Sequence, residues 1–246
     1  MNNRLASRLL HHNVHRPLWK TPQANWIWYQ EWNRVLFFHW KVDAGLLQSL
    51  IPSGLELDTF EGQAWVSVVA FTMENIRPRF LPAVSAVSDF HEVNVRTYVR
   101  SGEDAGVYFF SLEAQKYLSV KLSRTLSGMP YETSGMQREH GEKHFYRSVN
   151  KRTGNFLEAD YEPGAELAEK SPLDAWLTER YYTFLDKGGR LYKYAVHHPE
   201  WRLYEPKFRH LEIRYKTGPF SLSHANLEAV HYSGGVHVIA WPKVML

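Results

Sequence analysis

Apolar and polar residues alternate with a period of two through most of the chain, which is the pattern of half-buried β-strands. Residues 91–100 show it most clearly: Val93, Val95, Thr97 and Val99 point one way, and Glu92, Asn94, Arg96, Tyr98 and Arg100 the other. Residues 34–41 form a compact aromatic and β-branched run, also of strand type. The apolar runs 55–60 and 63–73 are joined by Glu61-Gly62 and predict a hairpin. A turn at 101–106 returns the chain into a strand at 107–112. A second hairpin is expected from 131–138 and 143–149 around His140-Gly141, followed by a strand at 155–161. Phe184, the turn 187–189 and residues 191–196 read as strand, turn, strand. Segments 210–215, 227–232 and 237–241 alternate again.

Helical signals are few. Asp43 sits at an N-cap position before Leu46, Leu47 and Leu50, and Pro52 with Gly54 ends that short helix. Residues 116–126 suit a second helix, stopped by Gly128 and Pro130. Ser171-Pro172 starts a third: serine as N-cap, proline in the first turn, and Asp174 beside the positive end, with the helix running to about Tyr181. Residues 77–88, with Pro78 and Pro82, read as a loop. The expected architecture is α+β and mainly antiparallel β, with a barrel-like sheet and short helices. Regular βαβ alternation and a Gly-rich dinucleotide turn are both missing from the sequence. No linker divides the chain, so a single domain over 25–246 is expected, preceded by a basic arm at 1–24.

Composition narrows the chemistry. The 246 residues include 13 Phe, 14 Tyr and 9 Trp and no cysteine. Thiol nucleophiles, disulfides and thiolate metal sites are therefore excluded. A hydrophobic content of 44% suffices for a sizeable core and excludes disorder. The net charge of +3 is too small to imply nucleic acid. Charge is uneven: residues 1–41 are basic and residues 158–179 acidic, which offers surfaces that meet within the molecule or across a homo-oligomer. No signal peptide and no apolar run of membrane-spanning length are visible, so a soluble, cytoplasmic protein without membrane partners is expected.

No nucleophile elbow, phosphate loop or metal-ligand spacing occurs, and neither a metal nor a cofactor is expected. His11, His12 and His15 lie in the basic arm, and His140 and His144 flank a turn. His197-His198-Pro199 is more informative: only one of two adjacent strand residues can face a pocket, and Trp201 supplies a nearby aromatic wall. Glu179-Arg180 closes the third helix. The leading candidate is the polar face of residues 91–100. As a solvated outer face, Glu92 and Arg96 would form a weak ion pair. Turned into a barrel, Glu92 would be desolvated and its pKa tuned.

The segments "FHWKVDAGLLQSLIPSGLELDTFEGQAWVSVVAF", "FHEVNVRTYVR", "GVYFFSLEA", "SGMPY", "LTERYYTF", "GGRLY", "VHHPEW" and "YSGGVHVIAWP" follow one another between residues 34 and 242. As a set they resemble the bacterial YqjF-like family, which is grouped by fold with acetoacetate decarboxylase. The resemblance implies a closed, cone-like antiparallel barrel with an internal cavity, and it implies that the polar face of 91–100 looks inward, with Glu92 matching a cavity glutamate. The decarboxylase uses a Schiff-base lysine after a Gly-x-Pro segment. Here Gly128-Met129-Pro130 is followed by Tyr131, so amine chemistry is disfavoured. Lys121 offers no replacement by position. Three readings follow. The first is a small-molecule cavity protein with acid–base chemistry by Glu92, Arg96 and Tyr131, lined by Asn94, Tyr98, Glu179, Arg180, His197, His198 and Trp201. The second is a non-catalytic binding or sensor module, and the third a structural or interaction protein.

Overall fold

A computed structural model describes residues 8–9, 20–116, 129, 131–141 and 143–246. The predicted helix at 116–126 falls, beyond Lys116, outside the described residues, as do Lys121, Gly128, Pro130, His11, His12, His15 and most of the basic arm.

Strands dominate. In chain order they are β1 (Trp28–Val42), β2 (Glu56–Leu57), β3 (Ala64–Pro78), β4 (Phe90–Ser101), β5 (Asp104–Ala114), β6 (Tyr131–Thr133), β7 (Gly135–Glu139), β8 (His144–Val149), β9 (Phe156–Glu166), β10 (Tyr182–Asp186), β11 (Leu191–His197), β12 (Tyr204–Thr217), β13 (Phe220–Ser223), β14 (Ala229–Ala240) and β15 (Val244–Met245). Three short helices join them: α1 (Ala44–Gln48), α2 (Ser85–Ser88) and α3 (Pro172–Thr178). Their starts follow the sequence signals. Asp43 accepts from the Leu46 N–H at 2.7 Å. Ser171 and Asp174 form a reciprocal capping box on α3.

The sheet closes on itself. Strands β14, β1, β3, β4, β5, β10 and β11 pair in succession, and β11 returns to β14 through Val196–Ala240 and His197–Ile239. Within this ring only the β5–β10 contact is parallel. Gly106 makes that contact close: a Cβ there would lie 2.4 Å from the Tyr182 carbonyl oxygen. From β14 the sheet continues through β12, β9, β8 and β7. This extension covers the outer face of the ring. Leu36, Phe38, Val66, Val68, Val93 and Val95 pack there against Tyr146, Leu157, Ile213 and Tyr215. The opposite face of the same strands carries Val35, Phe37, Val69 and Phe71, packed with Leu112, Tyr131, Trp201 and Val238. It is the inside of the ring, and α3 closes one end of it with Leu177 and Trp176 against Trp65 and Tyr98.

Several local expectations need correction. The run 55–60 turns into 63–73 through a Phe60–Gln63 bridge, but Glu56–Leu57 pairs with β4 and not with β3. The edge of β3 is already taken by β1, whose register with it runs nearly the whole strand. Segments 227–232 and 237–241 are one strand, β14, because Gly234-Gly235 continues the ladder against Asn33 instead of turning. There Gly235 has φ +134° and lies against the Trp32 carbonyl and Asn33, a place only glycine fits. The 77–88 loop contains α2. The acidic segment is met within the molecule: Arg147 pairs with Glu158, Arg202 with Glu166, and Arg209 with Asp160 and Glu162.

Candidate functional site

β4 keeps strict alternation, so Glu92, Asn94, Arg96 and Tyr98 share the inner face with Phe71, Val69 and Ser67 of β3 opposite them. Glu92 is 3% exposed. Its Oε2 accepts from the Tyr131 hydroxyl at 2.9 Å, and its Oε1 from the Asn94 amide at 3.3 Å. Tyr131 is carried there by β6, which pairs in parallel with β5 so that Tyr131 lies beside Leu112. Burial lifts the Glu92 carboxyl from its ordinary 4.5 to about 7, and the two hydrogen bonds only partly oppose this. The Tyr131 hydroxyl is pushed well above 10, first by burial and then by the charge of Glu92. The pair is therefore a carboxyl balanced near neutrality and a neutral phenol donating to it.

Arg96 does not pair with Glu92, contrary to the ion pair considered from the sequence. Four residues along a strand separate their Cα atoms by about 13 Å. The guanidinium also turns the other way, donating to the Leu177 carbonyl at 3.3 Å and lying 5.7 Å from the Phe37 ring centroid. Among the described residues neither Glu92 nor Arg96 forms an ion pair, and the buried Arg96 Nε and Asn94 Oδ1 have no hydrogen-bond partner. Burial lowers the pKa of Arg96. A guanidinium within a protein and without a counter-ion carries a desolvation cost that a bound anion would offset.

The remaining candidates divide. Tyr98 is fully buried and donates to the Leu177 carbonyl at 2.9 Å, beside Arg96. Trp201 stands edge-on to Phe37 with centroids 5.1 Å apart, and His198 packs on Trp201 at 5.2 Å. His197 is turned away: its Nε2 meets the Leu9 carbonyl at 2.5 Å, as the alternation along β11 requires. Glu179 is a brace, accepting from Lys170 at 2.6 Å, from the Trp201 N–H at 2.9 Å and from the Tyr181 hydroxyl. Arg180 pairs with Asp58 at 2.6 Å and covers the Tyr98 ring at 4.9 Å, so it supports the wall without presenting its charge to Glu92.

A second polar group on the inner face was not singled out from the sequence. His39 of β1 lies directly opposite Ser67 of β3, and Ser67 directly opposite Arg96 of β4. His39 Nδ1 is 2.7 Å from Ser67 Oγ, which is 2.7 Å from the Tyr98 hydroxyl. On the other side His39 Nε2 is 3.4 Å from His231 Nδ1, and His231 Nε2 is 2.9 Å from Asp174 Oδ1. The available signal was a lone polar residue within an apolar run, His39 after Phe37-Phe38 and Ser67 between Val66 and Val68.

The closed ring, the inward polar face of β4 and the helix at its end define a protein of the acetoacetate decarboxylase-like fold. Solved structures agree. Acetoacetate decarboxylase from Legionella pneumophila superposes with a TM-score of 0.60 at 13% identity, over 97% of this chain and 95% of that one. The enduracididine biosynthesis enzyme MppR complexed with pyruvate gives 0.59 at 10% identity, over 93% and 94%. The model of the DUF2071 family, described as an uncharacterized conserved protein, matches residues 29–237, and the chain belongs to that family. It is 38% identical to the uncharacterized protein YqjF of Bacillus subtilis (strain 168) over 226 residues, 90% of this chain and 93% of the relative. Among the described residues no helix is long and apolar enough to cross a membrane, and no group of three or more histidines and carboxylates could hold a metal ion.

Proposed function

We propose that the ring interior binds a small organic acid carrying an oxo group, and that Glu92 and Tyr131 perform acid–base chemistry on it. Arg96 anchors the carboxylate. Its guanidinium without a counter-ion is the observation that carries the reading. The complex of MppR with pyruvate supports a ligand of this size and class. Glu92, near 7, can take a proton from carbon beside the oxo group and return it, and a neutral Tyr131 can donate to the developing oxyanion. Tyr131 is held on Glu92, and a phenol forms no imine, so the reading is proton transfer and not Schiff-base decarboxylation.

Calorimetric titration with pyruvate, alongside a panel of 2-oxo and 3-oxo acids, tests it. Binding by the wild type is expected, weakened about 10- to 100-fold in Arg96→Met, since a charge-assisted hydrogen bond is worth about 1.5–3 kcal/mol. Deuterium exchange at the carbon beside the ligand's oxo group (the methyl of pyruvate), followed by NMR, is expected to stop in Glu92→Gln while binding persists. No binding by any acid, or equal binding by Arg96→Met, overturns the anchor. Binding without exchange leaves a non-catalytic binder and overturns the chemistry.

A further inference from the structure

We infer that Asp174, His231, His39, Ser67 and Tyr98 form a proton relay from the α3 surface to the Arg96 side of the ring interior. Five groups from α3, β14, β1, β3 and β4 stand in file, with links of 2.9, 3.4, 2.7 and 2.7 Å, and the Tyr98 hydroxyl also lies 3.4 Å from His39 Nδ1. The outer end is reachable, because the Asp174 side chain is 19% exposed. Its Oδ2 is committed to the Ser171 N–H and hydroxyl, which leaves Oδ1 for His231. The inner end is the Tyr98 hydroxyl, which shares the Leu177 carbonyl with Arg96.

The donor and acceptor inventory allows two patterns along the file, and Tyr98 donates to the Leu177 carbonyl only in the second. In one, every proton points outward: Tyr98 donates to Ser67, Ser67 to His39 Nδ1, His39 Nε2–H to His231 Nδ1, and His231 Nε2–H to Asp174. In the other, His231 is an imidazolium. It donates to Asp174 and to His39 Nε2, His39 Nδ1–H donates to Ser67, Ser67 to Tyr98, and Tyr98 to the Leu177 carbonyl. The patterns differ by one proton. Passing from the second to the first, Tyr98 gives its proton to an acceptor beside Arg96 and takes that of Ser67. Ser67 takes the His39 Nδ1 proton, and His39 Nε2 takes the His231 Nδ1 proton. The Tyr98 hydrogen bond to the Leu177 carbonyl is given up, and no other bond changes. The groups facing the imidazoles set the balance. Burial is the largest influence and lowers the pKa of His231, with Asp174 and Glu205 opposing it, while burial first, then His231 and Arg96, keep His39 neutral. Delivery to a ligand oxygen rests on the function proposed above; the relay itself does not.

The test is the tautomer of His39 in the ligand-free, 15N-labelled protein, read from long-range proton–nitrogen correlations. In the wild type the His39 proton is expected on Nε2 near pH 8 and on Nδ1 once His231 is protonated. Asp174→Asn keeps an oxygen for Ser171 and turns an amide N–H toward His231 Nε2. That substitution is expected to fix the His39 proton on Nδ1 at every pH. A tautomer that ignores His231 protonation and is the same in Asp174→Asn overturns the relay. Tyr98→Phe, which leaves the imidazoles in place, is expected to preserve the switch and to slow methyl-proton exchange of bound pyruvate more than it weakens pyruvate binding. If pyruvate does not bind but the tautomer switches, the relay stands and the ligand reading fails.

Discussion

Glu92→Gln is expected to stabilise the protein near pH 8 and to leave it unchanged near pH 4. In the folded chain burial holds the Glu92 carboxyl at about 7, against an ordinary value of 4.5. Between those values the folded protein keeps a proton that the unfolded chain has released, so stability falls as pH rises. Below 4.5 both states are protonated and the carboxyl is neutral in its effect. Above 7 both are ionised, and the folded state bears the full cost of a desolvated charge. At about 1.4 kcal/mol per pH unit, that cost is about 3 kcal/mol. Glutamine carries no charge, and its amide can accept from Tyr131 and donate to the unpartnered Asn94 Oδ1. Urea denaturation of both proteins from about pH 4 to pH 8 measures the difference directly. Other titrating groups cancel in that difference, including Glu113, whose burial also raises it, and Glu31, which His237 and neighbouring donors hold down at about 2. The reasoning is refuted by a difference that does not grow with pH between 4.5 and 7, or by a variant less stable than wild type at pH 8.

Tyr131→Phe removes a hydrogen bond that favours the ionised carboxylate, so the Glu92 titration is expected to move above 7, visible in its side-chain carboxyl 13C shift. Arg96→Met is expected to hold or raise the unfolding midpoint in the absence of ligand, because the guanidinium has no counter-ion to lose; a marked loss of stability would show that the positive charge is structurally compensated. Gly106→Ala drives a Cβ into the Tyr182 carbonyl and is expected to cost about 1–3 kcal/mol or more by opening the β5–β10 seam, measured by thermal unfolding.

The strand pattern of β4 was plain in the sequence, because Val93, Val95 and Val99 alternate with polar residues without a break. Which face looks inward was not legible in that alternation, and only the family resemblance implied it, since both faces turn out to be buried. One is covered by the β7–β8–β9–β12 extension, which only long-range pairing creates. Helix caps at Asp43 and Ser171 were local and therefore legible. The ring's closure through Val196 and Ala240 was not, for nothing in either segment specifies the other. His39, Ser67 and His231 are separated by tens to hundreds of residues and become a cluster only through the β1–β3 and β1–β14 registers.

Where α3 ends adds to the separation of Glu92 from Arg96 that the strand spacing already imposes. The last carbonyls of a helix lack intrahelical donors. That of Leu177 points into the ring and takes hydrogen bonds from Arg96 and Tyr98 together. This draws the guanidinium toward α3 and away from the carboxyl on the same strand. Had the two met, Glu92 would be held in the usual carboxylate range or below and would be useless as an acid near neutrality. Instead Asn94 occupies the space between them, and each charge-bearing group is left free for the role proposed for it: Arg96 to hold an anion, Glu92 to exchange a proton. A single residue's carbonyl thus links the capping box of α3, which fixes the helix, to the protonation state of a carboxyl four strand residues from Arg96.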